Sequence, residues 1–160
     1  MLAITQILST AVPLPIKNIK AHQIVPKEIS LKGERNGIKK NLFRDWRFHK
    51  DGSLNDDFIL NEDAYFGKIL ITGNNFGCKN STDPTVWALY DYGFKAIISS
   101  KFSNVFKEKA LQNGVLPVKI SNKFLQILLA TTTAKPKTII SINTKNKTVT
   151  LEETGQFEKF

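Results

Sequence analysis

Residues 68–93, read as KILIT (68–72), GNNFGCKNST (73–82) and DPTVWALYDYG (83–93), decide the fold, because they run strand, loop, helix without interruption. Lys68 to Thr72 is a short, β-branched apolar run between Gly67 and Gly73, the pattern of a strand buried on both faces. Residues 74–82 are polar and small and form a loop. Asp83 is expected as the helix N-cap with Pro84 at the first helical position, and Gly93 as the αL stop after Val86, Leu89 and Tyr90.

The same rhythm continues toward the C terminus. Phe94 to Ser99 repeats the strand signal, Phe102 to Asn113 the helical one with Gly114 as terminator, and Val115 to Ile120 gives another strand. Strands alternating with helices at this spacing imply parallel pairing through right-handed crossovers, an α/β fold. A short apolar helix is expected from Ser121 to Leu129, then a Thr-rich connector from Thr131 to Lys137. Thr138 to Ile142 and Thr148 to Leu151 flank Lys145 and Asn146 as a C-terminal β-hairpin. Toward the N terminus, Ile4 to Ile16 carries Pro13 and Pro15 and predicts one edge strand leading into a turn. Between Asn18 and Asp57, glycines lie among charges, predicting surface loops and short elements anchored by Leu42, Phe43, Trp46 and Phe48.

Length and composition narrow the class. A chain of 160 residues with 41% apolar and 23% charged residues suits one globular domain burying about two-thirds of its unfolded surface. No apolar run reaches the roughly 18 residues of a membrane span. No positive charge precedes Lys17 and no small-residue cleavage signal follows, so a secretory leader is not expected and a cytoplasmic protein is. The single cysteine, Cys78, excludes an internal disulfide, and one thiolate cannot hold zinc or an iron-sulfur cluster alone. His22 and His49 form no metal-spacing motif. A net charge of +9 draws anions, but the aromatic residues do not alternate with the basic ones as on a base-stacking sheet, so nucleic acid is not the expected partner.

Gly73, Asn75, Phe76, Gly77 and Cys78, followed by Trp87, Ala88, Leu89, Asp91, Tyr92, Gly93 and Phe94, resemble the strand-loop-helix of the 3-isopropylmalate dehydratase small-subunit family. Supporting pieces keep the family order: Pro13 to Ile16, Ile24 to Lys27, the Leu42, Phe43, Asp45, Trp46, Arg47 segment, Asp57 to Asn61, and Asn113 to Pro117. The resemblance implies a single β/β/α swivelling domain over residues 1–160, without a closing segment of roughly forty residues. It also implies a large-subunit partner holding an iron-sulfur cluster, no cofactor on this chain, and a small hydroxy-dicarboxylate substrate. The paired subunits would interconvert 2- and 3-isopropylmalate by removing and re-adding water, in leucine biosynthesis.

The polar positions depart from the family. Where its loop reads Gly-Ser-Ser-Arg-Glu-His, this chain has Lys79, Asn80, Ser81, Thr82, Asp83 and Pro84, which puts Asn80 at the serine base and Thr82 at the substrate-gripping arginine. An amide has no basic lone pair near neutral pH, and a proton acceptor is worth roughly 10²- to 10⁴-fold in rate. A threonine hydroxyl cannot replace a bidentate guanidinium. The family's Asp-Thr-Asp becomes Lys20, Ala21, His22, its Pro-Ser becomes Ser100, Lys101, and its Asn-Asn becomes Glu108, Lys109. Asn80 and Ser81 are the candidate catalytic positions, and Asn75, Thr82, Lys20, His22 and Lys101 the candidate substrate contacts. The expectation is a catalytically impaired subunit, with a non-catalytic binding or regulatory module as the alternative. An anion site at the helix start is weighed against a capped turn and yields to it, because Asp83 is expected to occupy the positive end. Cys78 is expected to be a small structural thiol.

Overall fold

The computed structural model describes residues 5–160. Four parallel strands, β2 (Ala11–Leu14), β3 (Ile69–Thr72), β4 (Ala96–Ser99) and β5 (Leu116–Lys119), lie side by side in that order. Each has four residues, and these short apolar runs form strands because both faces are covered. Ile69 and Ile71 point into one apolar cluster with Ile98, Val118 and the helix α6 (Asn122–Ala134), while Leu70 and Ile97 point into another with Phe76, Val86 and Phe106. The second cluster lies under α4 (Asp83–Tyr92) and α5 (Asn104–Gln112).

An antiparallel sheet packs beyond α6's side of the molecule, ordered β1 (Gln6–Ser9), β6 (Ile140–Asn143), β7 (Thr148–Leu151) and β8 (Phe157–Lys159). Its Ile7, Ile140, Ile142 and Val149 share the cluster of Ile69 and Ile71. The expected hairpin is therefore the centre of a larger sheet. β8 escapes a sequence reading because only three residues pair, and both of its phenylalanine-flanked ends are exposed or half-exposed, leaving no apolar alternation.

Three other expectations need correction. The single N-terminal strand is two, and they sit on the edges of different sheets; Ile4 lies outside the described residues. Pro13 is tolerated in β2 because an edge strand leaves one side unpaired. The threonine connector is the last turn of α6: Thr132 and Thr133 donate their hydroxyls to the carbonyls of Leu128 and Leu129, both at 2.7 Å, and Thr132 is fully buried. Packing and this back-bonding override the modest helix propensity of β-branched residues. Finally, the segment from Asn18 to Asp57 consists of short elements as expected, α1 (Ala21–Ile24), α2 (Lys27–Lys32) and α3 (Arg44–Arg47) among them, but it is not confined to the surface: Ile24 of α1, Ile38 in a 3-10 turn, and the anchors Leu42 and Phe43 ahead of α3 are buried in the core, with Phe43 stacked on half-buried Trp46 at 5.6 Å.

Candidate functional site

Three loops leave the carboxyl ends of β2, β3 and β4, the edge at which open parallel sheets place ligands. Backbone hydrogen bonds tie them together. The Asn18 N–H donates to the Asn74 carbonyl at 2.8 Å, those of Gly77 and Cys78 to Ile19 at 2.8 and 3.1 Å, and that of Ala21 to Lys79 at 3.2 Å. The Phe76 N–H donates to Lys101 at 3.0 Å. These bonds join the three chain segments on which all seven candidate residues lie, Lys20 and His22 on the first, Asn75, Asn80, Ser81 and Thr82 on the second and Lys101 on the third, although the segments are far apart in sequence.

They do not share one role. The Ser81 hydroxyl is buried and donates to the Gly77 carbonyl at 2.9 Å, so it serves the loop's own geometry. Thr82 exchanges hydrogen bonds with the hydroxyls of Ser30 at 2.8 Å and Thr85 at 3.2 Å. That chain of hydroxyls reaches α2. Asn75 donates its amide to the Asn18 side chain at 3.0 Å. Asn80, Lys20, His22 and Lys101 are exposed. Asn18, Asn75 and Asn80 all have positive φ, 56°, 66° and 59°, where asparagine is among the few non-glycine residues that settle readily.

The helix start also differs from expectation. Thr82, not Asp83, is the N-cap residue, so Asp83 is the first helical residue and Pro84 the second, one position later than expected. The Asp83 carboxylate turns sideways to α5, accepting from the Asn113 amide at 3.0 Å and lying 3.5 Å from the Lys109 ammonium. Gly93 ends the helix at φ 127°, a conformation open to glycine.

Sequence reasoning missed Ser103 and Ser100. Ser103 caps α5 by accepting from the Phe106 N–H at 3.1 Å and donates to the Gly77 carbonyl at 2.8 Å, so one hydroxyl clamps two loops. Ser100 donates to the Asn74 side chain at 2.8 Å. Only Ser103 left a signal, as a serine three residues ahead of Phe106 at a helix start. Among the described residues no three His, Cys, Asp or Glu side chains come together as a metal would require, and Cys78 is a free, half-buried thiol. Among them, too, no helix is long and apolar enough to cross a membrane.

Residues 1–123 match the family described as the aconitase C-terminal domain, and this is the class that the β/β/α fold and its loop end define. The chain is 42% identical over 151 residues to the 3-isopropylmalate dehydratase small subunit of Christiangramia forsetii, covering 94% of this chain and 74% of that one. It is 42% identical over 153 residues to that of Azobacteroides pseudotrichonymphae, covering 95% and 78%. The crystal structure of 3-isopropylmalate dehydratase (leuD) from Methanocaldococcus jannaschii shares the fold, with a TM-score of 0.67 and 18% identity, covering 96% of this chain and 80% of that one. The chain belongs to the 3-isopropylmalate dehydratase small-subunit family.

Proposed function

We propose that this chain, as one swivel-type domain, pairs with a large subunit that carries an iron-sulfur cluster, in a cytoplasmic 3-isopropylmalate dehydratase of leucine biosynthesis. It closes over a small hydroxy-dicarboxylate with the three-loop edge and is a poor catalyst. Family membership supports the pairing, and the observation that carries the rest is the state of the loop from Gly73 to Thr82. At the position where the family places its base, Asn80 presents an exposed amide, which orients water or a substrate hydroxyl by hydrogen bonding but takes up no proton. The two hydroxyls that follow it offer no substitute, since those of Ser81 and Thr82 are engaged within the protein. Lys20, His22 and Lys101 remain exposed to attract carboxylates.

The test is to mix the chain with its cognate large subunit and follow dehydration of 3-isopropylmalate by absorbance. The expected outcome is a complex whose turnover falls roughly 10²-fold or more below that of a subunit bearing the serine. Turnover at the full level would overturn the impaired reading.

The same engaged hydroxyls favour a second reading, in which the fold is kept for occupancy or regulation of the large subunit without chemistry. Binding to the large subunit with no turnover at any substrate concentration would select it.

A further inference from the structure

The chain holds two Asn-Gly pairs, Asn36 with Gly37 and Asn113 with Gly114, and the fold treats them oppositely. Before glycine an asparagine amide is open to attack by the next backbone nitrogen, because no side chain shields that nitrogen. At half-buried Asn113 the amide is engaged at both ends. Its oxygen accepts from the Trp87 indole N–H at 3.1 Å, and its nitrogen donates to the Asp83 carboxylate at 3.0 Å and to the Lys109 carbonyl at 2.8 Å. Turning that amide onto the Gly114 nitrogen would break all three bonds. Asn36 has no such hold. Asn36 and Gly37 are both exposed, and among the described residues neither the Asn36 amide nor the Gly37 N–H takes part in a hydrogen bond.

Two further features favour reaction at Asn36. One hydrogen bond, from the Ile38 N–H to the Arg35 carbonyl at 3.0 Å, closes the turn that has Asn36 and Gly37 at its centre, with Gly37 at φ 74°. Ring closure swings the Gly37 nitrogen out of this turn onto the Asn36 side chain, and an exposed turn closed by a single bond opens readily. The Lys40 side chain also lies over Gly37, with its ammonium 3.9 Å from the place where a Cβ of residue 37 would stand. A cation there favours loss of the Gly37 amide proton and steadies the negative charge that develops on the closing ring.

We propose that Asn36 is a site of self-modification, assisted by Lys40, that converts it to aspartate and isoaspartate. The Gly37 nitrogen gives its proton to solvent hydroxide and bonds to the Asn36 Cγ; the bond from Cγ to Nδ2 then breaks, and the nitrogen takes a proton from water and leaves as ammonia. Water opens the resulting five-membered imide at either carbonyl. The product places a carboxylate beside Arg35, which holds Asp91 through two bonds at 2.9 and 3.2 Å and lies over the Trp87 and Tyr90 rings. The isoaspartyl isomer also adds one main-chain carbon between Arg35 and the buried Ile38. Conversion therefore loosens the hold of α4 on this segment.

The experiment incubates the full chain in mildly alkaline buffer, native and in guanidinium chloride, and follows the gain of about 1 Da at each Asn-Gly pair by peptide mapping. In the native protein Asn36 should convert at least about tenfold faster than Asn113, and in denaturant the two rates should come within about threefold of each other. Lys40→Gln should slow native Asn36 by about twofold to threefold, the effect of one exposed charge, and leave Asn113 unchanged. A native Asn36 that converts no faster than Asn113 overturns the site. Asn113 still lagging about tenfold in denaturant overturns its protection by the fold. An unchanged rate in Lys40→Gln overturns the assistance by that ammonium.

Discussion

The inward and outward sides of the loop from Gly73 to Thr82 obey different rules. Inward, Phe76 is fully buried edge-on against Phe106 and Phe102, with centroids 5.1 and 6.5 Å away, and the Gly77 carbonyl takes hydroxyls from Ser81 and Ser103. Outward, Lys79 and Asn80 stand exposed and the Thr82 hydroxyl has been drawn into the protein. The inward side keeps what the fold requires, and the outward side is where we propose that the groups that would move protons have been exchanged. Packing and chemistry depend on different atoms, so one can be preserved while the other drifts.

That contrast breaks most sharply at the inward side. Phe76→Ala should cost about 3–5 kcal/mol in urea unfolding, because a full aromatic payload and its two ring contacts leave a cavity. A loss below about 1 kcal/mol would mean that the loop is not anchored by this residue. Ser103→Ala should cost about 1–2 kcal/mol, since it removes the α5 cap and leaves the Gly77 carbonyl with Ser81 alone. Hydrogen exchange at residues 76–79 should rise in that variant; unchanged protection would show that the clamp does not hold the loop. At the outward side, Asn80→Ser should change stability by no more than about 1 kcal/mol, the cost of placing serine where φ is positive. In the complex with the large subunit it should raise turnover, by up to about 10²-fold. A large loss of stability with no gain in rate would contradict the separation of packing from chemistry.

In the parallel core β3, β4, β5, α4 and α5 stand within one or two residues of the runs that predict them, whereas β2 is part of what reads as a single N-terminal strand and Gly93 takes φ 127° in place of the αL stop expected. The runs around Ile69, Ile97 and Val118 are strands, and Pro84 and Gly93 bracket α4. The failures of the sequence reading come where packing outweighs a weak local signal. Thr132 is helical because its hydroxyl reaches Leu128 one turn back and the residue is buried, and β8 exists because β7 offers an edge and Ser121 holds Glu158. Leu42 and Phe43 are the anchors expected of their segment, but Ile38, among charges and a glycine, gave no sign that it too is buried. At the site, residue types were legible and hydroxyl partners were not. Nothing in the order of residues places Ser30 beside Thr82, or Ser103 beside Gly77.

The sequence by itself determined the parallel strand-helix core, the family and the amide side chain at Asn80, because apolar periodicity, cap residues and side-chain type are local properties. Only the tertiary structure decided that the segments carrying Lys20, Asn80 and Lys101 are joined by backbone hydrogen bonds, that Asp83 bonds to Asn113 at the end of α5, and that the hydroxyls of Ser81 and Thr82 are engaged. Those facts depend on which distant segments supply hydrogen-bond partners, and that is fixed only when the chain closes on itself.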